Sequence, residues 1–474
     1  MTPSATPPKK SRITLYIIIA LFIGIALGFT LNKTWLVQDN QKLETVQLAL
    51  NEIIEEIKQN KDSLTAIQLF AKKNEISTER NSILSARDKK LDPFSVLADV
   101  FLRLIKMIVA PLVFTTLVVG VAKLGDINSV GRIGGKTLLW FAGASLTSLL
   151  LGMILVNIFE PGIAMNLPVP DASESSGVAT TGISLKEFLY HVFPASVIDA
   201  MAKNEILQIV VFSLFFGVAT AAIGEQGKIV IQFMDACSHV ILKVTGYVMN
   251  LAPLAVFGAM TAIIAKQGAG ILKTYSIFIG EFYFSLLILW CVLIFAGFLV
   301  IGKKIVSLVK AVREPTLLAF STSSSEAAFP KTMEILGKFG CSEKIVSFVL
   351  PLGYSFNLDG SMMYMTFASL FIAQSYGIDL PIATQLSMLL VLMLTSKGIA
   401  GVPRASLVVI AGTLVTFNIP EAGLALLLGI DPLLDMGRSA TNVIGNSVAT
   451  AVVSKWEGAL VISDSKLQIP DSEI

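Results

Sequence analysis

Charge is what this chain has little of: Asp, Glu, Lys and Arg make up 15% of its residues, against about a quarter in soluble domains. Histidine is scarcer still, with His191 and His239 the only two, which argues against a histidine-built metal centre. The three cysteines, Cys237, Cys291 and Cys341, lie far apart in mostly apolar segments. They form neither a metal-ligand spacing nor a disulfide framework and read as small buried hydrophobes. No Walker-type phosphate loop is present, which argues against ATP-driven work, and a net charge of +2 gives no pull towards nucleic acid. No small-residue cleavage site follows the apolar run after Lys9, Lys10 and Arg12. That segment reads as a retained first span with its basic end in the cytoplasm.

What the chain has is apolar bulk. Apolar residues make up 54% of it and its mean hydropathy is +0.74. The apolar material comes in long runs at 13–31, 109–121, 138–158, 206–223, 277–301 and 386–394. Several approach or exceed the ~20 residues that cross a bilayer as a helix. A soluble protein of this size would show amphipathic helices and polar strand faces instead. The expected fold class is therefore all-α integral membrane.

Positive residues orient the spans. A cytoplasmic tail (1–12) precedes a first span (13–32) and a polar extracytoplasmic insert (33–95). Within the insert, Val46, Leu50, Ile53, Ile54 and Ile57 recur at helical spacing, which predicts an amphipathic helix. Its role is not legible. A second span (about 96–121) ends at a basic cytoplasmic loop with Lys123, Arg132 and Lys136, and a third covers 134–158. The stretch to about 204, with Pro161, Pro168 and Pro170, is poor in basic residues and expected outside. Further spans are expected near 205–224, 228–263 and 274–302, the last ending at the internal cluster Lys303, Lys304, Lys310 and Arg313. Both termini fall in the cytoplasm, the tail being 458–474.

Beyond Arg313 the pattern changes. Polar or glycine-containing runs interrupt apolar stretches at STSSSEAAFP (321–330), GYSFNLDGS (353–361), TSKGIAGVPRAS (395–406) and DMGRSATNVIGN (435–446). Backbone freed at membrane depth is tolerated only where it is buried in protein or lines a cavity, so these four interruptions point to discontinuous helices and re-entrant hairpins around a solute site. Simple loops between spans would explain the Gly and Ser but not Asp359, Asp435 and Arg438 between apolar flanks. Ionisable groups at that depth cost several kcal/mol unless paired or hydrated and so mark pathways. On one helix Asp435, Arg438, Ser439 and Asn442 share a face. An anion, a cation, a hydroxyl and an amide together suit a zwitterion with one extra carboxylate, held by the arginine fork. The alternative is a self-compensating Asp435–Arg438 pair. The serine run at 321–325 would offer hydroxyls and backbone N–H groups to a second carboxylate.

The four runs also carry a family resemblance. NLDGS at 357–361 resembles the Asn-Met-Asp-Gly-Thr signature of the glutamate transporter (dicarboxylate/amino acid:cation symporter) family. STSSSEAAFP and GIAGVP (398–403) resemble the tips of its two hairpins, and DMGRSATN resembles its eighth-span motif. The likeness is strongest over about 310–460. It implies eight transmembrane helices plus two re-entrant hairpins, near 305–340 and 382–418. It also implies a homotrimer, with 96–273 mainly scaffold and 274–457, joined by the third span, an elevator-type transport domain. By the same resemblance Arg438 binds the side-chain carboxylate of an acidic amino acid and Asp435 its amino group. Asn442, Ser324 and Ser325 hold the main-chain carboxylate, Ser439 contributes a hydroxyl, and Gly401, Val402 and Pro403 form the lid. Relatives for C4-dicarboxylates lack the acid at Asp435 and those for neutral amino acids lack the arginine, so keeping both favours glutamate or aspartate.

The coupling ion departs from the sodium pattern. Asn446 stands where sodium-coupled relatives have aspartate, Leu358 where they have methionine, and Phe141 and Ala144 where they have tyrosine and threonine, although Ser145 remains. Lys397 falls where a backbone sodium site is expected, and Ile399 replaces a threonine. The resemblance is nearest to proton-coupled bacterial carriers, with Glu326, Asn357, Asp359, Lys397 and Asn446 as ion-coupling candidates. Sodium is the alternative ion, and a snorkelling role is the alternative for Lys397. No cofactor or metal is expected. The expected partners are an acidic amino acid, membrane lipid and two further copies of the chain in a bacterial inner membrane. The competing readings are a C4-dicarboxylate carrier and, in another class, an intramembrane hydrolase using Ser324 or Ser325 with Lys397. No nucleophile-turn motif accompanies those serines, and the chain reads as no enzyme.

Overall fold

The structure, a computed structural model, describes residues 13–59, 63–124, 127–165, 169–170, 192–396 and 405–461. Its elements are helices; among the described residues the one β-type contact is an isolated bridge between Cys341 and Leu460. In chain order they are α1 (Ile13–Thr34), α2 (Val37–Gln59), α3 (Ser63–Leu124), α4 (Ile127–Phe159), α5 (Pro161–Ala164), α6 (Val197–Lys203), α7 (Ile206–Ala222), α8 (Gly227–Met249), α9 (Ala252–Thr274) and α10 (Ser276–Ile301). They continue with α11 (Lys304–Ala311), α12 (Arg313–Thr322), α13 (Ser325–Phe339), α14 (Glu343–Phe356), α15 (Asp359–Ser375), α16 (Ile382–Thr395), α17 (Ala405–Thr416), α18 (Ala425–Leu428) and α19 (Asp431–Trp456). Five described helices are long and apolar enough to cross a membrane: Leu15–Thr34, Gln68–Lys123, Ser129–Ala164, Gly224–Met249 and Ser276–Ile301.

The chain forms two compact units, Met1–Phe101 with Tyr247–Gly268, and Leu102–Gly246 with Ala269–Ile474. In the first, α1 and α9 cross closely at Gly24 and Gly28. A β-carbon there would lie 2.9 Å from the carbonyl oxygens of Phe257 and Thr261. The four-residue spacing puts both glycines on one face, the small-residue device by which apolar helices approach backbone to backbone. The predicted helix of the insert is α2, where Val46, Leu50 and Ile53 are buried and Ile57 half-buried; the side chain of Ile54 lies outside the described set. Lys90–Asp39 at 2.6 Å and Lys266–Asp88 at 3.2 Å tie this unit together around Leu36, Leu91 and Ala265.

In the second unit, α15 is the centre. Every residue from Asp359 to Ala373 is buried, and α15 packs chiefly on α4 and α19. Phe278 of α10 meets Phe367 edge-on and Phe371 at a tilt, with ring centroids 5.4 and 4.5 Å away. A helix apolar on all sides belongs inside a larger protein or a bilayer. The polar residues on α15 and α19 are therefore committed to partners inside the protein.

Three expectations change. The later part of the expected insert, from Ser63, and the second span are one helix of 62 residues, α3, about three times what a bilayer core requires. The expected span at 228–263 is two helices, α8 and α9, separated at 250–251. Of the four interruptions, 435–446 is not a break: α19 runs through it, because side chains rather than freed backbone supply its polarity. The first two are real breaks. Ser323 turns left-handed (φ 49°, ψ 36°) between α12 and α13, and Asn357 (φ −126°, ψ 65°) and Leu358 (φ −97°, ψ 66°) separate α14 from α15. The third, at 397–404, lies outside the described residues.

One ion cluster closes α19 against α4. Glu457, just past the end of α19, receives Arg132 at 3.1 Å and Lys136 at 2.6 Å. Burial alone raises the Glu457 carboxyl; hydrogen bonds and positive charge from Arg132 and Lys136 outweigh it and hold the group below the usual carboxylate range. A carboxyl depressed by folding stabilises above its ordinary pKa, and that contribution fades as pH falls through the folded value. Glu457→Gln is therefore expected to cost about 1 kcal/mol or less at pH 7, and close to nothing near pH ~3. Thermal unfolding of the detergent-solubilised protein at both pH values checks this; an equal loss at both would contradict it.

Candidate functional site

The site begins with a charge that α19 cannot leave alone. Arg438 is 2% exposed, in the middle of a helix whose neighbours are buried. Its Nη2 lies 3.0 Å from Asp431 Oδ1 and 2.9 Å from Asp435 Oδ1. Spacings of seven and three residues bring both acids to its side of the helix. Tyr364 of α15 completes the setting. Its hydroxyl donates to Asp431 Oδ1 at 3.1 Å, and its ring carries the Arg438 Cζ 4.0 Å above its centroid. The guanidinium Nε and Nη1 are buried without a hydrogen-bond partner. Arg438 is thus neutralised from one side and still holds two buried donors unused.

The two acids differ. The side chain of Asp431 is 3% exposed and that of Asp435 is 37% exposed. Asp431 is a fixed counter-ion, whereas Asp435 is reachable and can exchange Arg438 for an incoming cation. The self-compensating pair foreseen as an alternative does form, but with Asp431 as its inner half. Asp431 was missed by the sequence reading. The signal available was its place four residues before Asp435 and seven before Arg438, on the same stripe.

The serine tip comes to the start of this helix. Ser324 caps α13, its hydroxyl accepting from the Ala327 N–H at 3.3 Å, and Ser325 and Glu326 occupy the first turn, all half-buried. The Ser323 hydroxyl donates to the Pro432 carbonyl at 3.4 Å, which fixes the tip to the first turn of α19. The left-handed Ser323 makes this possible: it turns the chain so that α13 begins with its free N–H groups beside the helix that carries Arg438.

Deeper along the same stripe the predicted residues hold one another. Asn442 accepts from the Gly360 N–H at 2.9 Å and donates to Ser361 at 3.3 Å, so both ends of its amide tie α19 to α15. Asn357 donates to Asp359 Oδ2 at 2.9 Å and to Asn446 Oδ1 at 3.3 Å. Asp359, fully buried, also accepts from the Ser148 hydroxyl at 3.3 Å. Ser145 donates to the Phe356 carbonyl at 3.3 Å, while Phe141 and Ala144, also buried on α4, bring no oxygen. Glycine is required twice: a β-carbon on Gly445 would collide with the Asp359 carboxylate, and one on Gly353 with the Asn446 amide. Asp435, Arg438, Ser439 and Asn442 thus follow one another along α19, whose first turn holds the serine tip through Ser323, and Asn357, Asp359 and Asn446 form a polar knot. Lys397, Ile399, Gly401, Val402 and Pro403 lie outside the described residues.

The model of the sodium:dicarboxylate symporter family matches 13–456. The chain belongs to that family. Its relatives include a proton/sodium-glutamate symport protein of Geobacillus stearothermophilus, 44% identical over 76% of this chain and 87% of the relative. Two C4-dicarboxylate transport proteins are similarly related. That of Laribacter hongkongensis is 41% identical over 77% of this chain and 84% of its own, and that of Bacillus subtilis 40% identical over 76% and 87%. As a member of this family with several long apolar helices, the chain is a multi-pass membrane protein.

In this symporter-family member the asymmetry of the two acids is testable. Removing the fixed counter-ion from a buried charge costs more than removing an exposed one. Asp431→Asn is expected to cost about 1–3 kcal/mol of stability, and Asp435→Asn distinctly less. Thermal midpoints of the two purified variants check the order, and the reverse order would contradict the assignment.

Proposed function

We propose that the chain is a secondary active symporter for acidic amino acids, glutamate or aspartate, driven by protons. The carrying observation is the Arg438 guanidinium, with two buried donors unused beside the reachable Asp435. An ω-carboxylate satisfies the first and an α-ammonium satisfies the second. The α-carboxylate then falls to Ser324, Ser325 and the open start of α13, where hydroxyl and backbone N–H groups favour an anion. Ser439 adds a hydroxyl on the same face, and residues 401–403 serve as the lid.

The proton reading rests on the polar knot. A sodium site is a cage of oxygens, yet here the Asn357 nitrogen sits between Asp359 and Asn446 and donates to both. Phe141 and Ala144 add none. An amide that already fills the gap between the oxygens leaves a proton as the charge that can be added, with Asp359, Asp435 and Glu326 as its carriers. In this reading the molecule is a homotrimer of the bacterial inner membrane with both termini in the cytoplasm. Eight spans and two hairpins form a scaffold and an elevator-type transport domain.

A second reading, a C4-dicarboxylate carrier, draws on the relatives of that name at nearly the same identity. Such a substrate has no ammonium for Asp435, and that is the residue the reading leaves without work.

Uptake into proteoliposomes, crossing aspartate and succinate with proton and sodium gradients, separates these readings. Aspartate uptake that follows the pH gradient is the expected result; uptake that needs sodium and ignores pH overturns the coupling, and succinate displacing aspartate overturns the substrate. Arg438→Ala alone would strand the buried Asp431, so it is made in an Asp431→Asn background. That double variant is expected to keep its assembly and lose acidic-substrate uptake by at least about a hundredfold, the size of about 3 kcal/mol of lost charge-assisted hydrogen bonding. Uptake at ordinary affinity would refute the role of Arg438. Asn446→Asp, which restores a carboxylate beside Asp359, is expected to introduce sodium dependence into uptake.

A further inference from the structure

The basic cluster after α10 is not absorbed by any of this. The apolar helix α10 ends at Gly302, whose φ of 62° and ψ of −148° turn the chain sharply before α11. On α11 the inner face is anchored, with Ile305 and Leu308 buried, as is Val312 just beyond its end. The outer face is Lys303, Val306 and Lys310, spaced three and four residues apart, with Arg313 following and Lys304 beside them. All five are exposed. Among the described residues no acid pairs with Lys303, Lys304, Lys310 or Arg313, although Lys331 two helices on has both Glu314 and Glu334. Four unpaired cations are therefore displayed at fixed positions, and an apolar Val306, 56% exposed, sits among them.

We propose that this face of α11 docks on anionic phospholipid headgroups at the bilayer surface where α10 ends. Placement argues for lipid. Leu299, one turn before Lys303, is 69% exposed on a helix whose composition is that of a span, so it faces hydrocarbon. Lys303 follows the turn at Gly302, two residues past the end of α10, and the headgroup layer is about 5–8 Å deep on each side. The cations thus fall among phosphates and Val306 reaches the apolar boundary beneath them, the arrangement of an interfacial amphipathic helix. Anchoring by Ile305 and Leu308 means the charges arrive already arranged, so little freedom is lost on docking. Because α11 leads directly into the hairpin α12–α13, lipid held there would grip the helix pair that presents Ser324 and Ser325.

Each cation near an anionic surface raises partitioning about fivefold, so three together are worth about a hundredfold. The full chain is purified in a neutral detergent and titrated with phosphatidylglycerol, phosphatidylcholine or inorganic phosphate while its thermal midpoint is followed. Phosphatidylglycerol is expected to raise the midpoint by several degrees over phosphatidylcholine, with the effect screened at about 0.5 M salt. Lys303→Gln with Lys310→Gln and Arg313→Gln is expected to weaken the apparent affinity for phosphatidylglycerol about a hundredfold while keeping the midpoint in phosphatidylcholine. The arginine-for-lysine variant at 303 and 310 is expected to retain it. Equal response of the glutamine variant and the wild type overturns the proposal. So does a wild type indifferent to headgroup charge, or an equal rise with inorganic phosphate, which would make this a free-anion site. The readout is lipid binding and stands apart from which solute the protein carries.

Discussion

Everything at the site depends on how one buried positive charge is tolerated. Moving a guanidinium out of water costs several kcal/mol even after relaxation. Arg438 offsets that cost with two carboxylates on its own helix and an aromatic face on α15. The stacking is worth up to about 2 kcal/mol where water is excluded. These partners explain other features. Asp431 must be fully buried so that it never leaves, Tyr364 must be tyrosine so that one residue supplies both ring and hydroxyl, and Gly360 must lack a side chain because its Cα faces the Arg438 backbone. The close packing of α15 on α19 follows from this demand as much as from apolar burial.

The second polar centre is built on the opposite principle. At Asp359 hydroxyl and amide hydrogens, from Ser148 and Asn357, are the donors. Hydrogen bonds to a buried carboxylate are strong but fixed in number, and an amide brings its own oxygen, which then needs a donor elsewhere. The Asn357 Oδ1 is buried without a donor and the Asn446 Nδ2 without an acceptor. Unsatisfied atoms of this kind cost about 1–3 kcal/mol each, so the knot is held at some expense to stability.

Much of this was legible in the sequence, and the misses have physical causes. Helix α19 was readable as a functional stripe because Asp435, Arg438, Ser439 and Asn442 keep helical spacing inside an apolar context. The same stripe was mistaken for a break because polarity in side chains and polarity in backbone look alike in a hydropathy profile. Asp431 went unseen because it sits beside Pro432 at the start of the helix, where an acid reads as a terminal residue. The unbroken α3 was hidden for a related reason. Hydropathy changes where the surroundings change, near residue 96, while the hydrogen-bond ladder of the helix continues past it. The Asn357–Asn446 contact spans 89 positions and has no local signature at all.

The difference in exposure between Asp431 and Asp435 has a consequence for the empty protein. In the proposed carrier a solute that reaches Arg438 does not meet a bare charge: Nη2 is already shared by Asp431 and Asp435, and the Nε and Nη1 hydrogens stand open. Loading in that reading is a change of hands, in which Asp435 passes from the arginine to the ammonium of the solute, and unloading is its reverse. Asp431 stays throughout, so the empty site keeps its guanidinium paired.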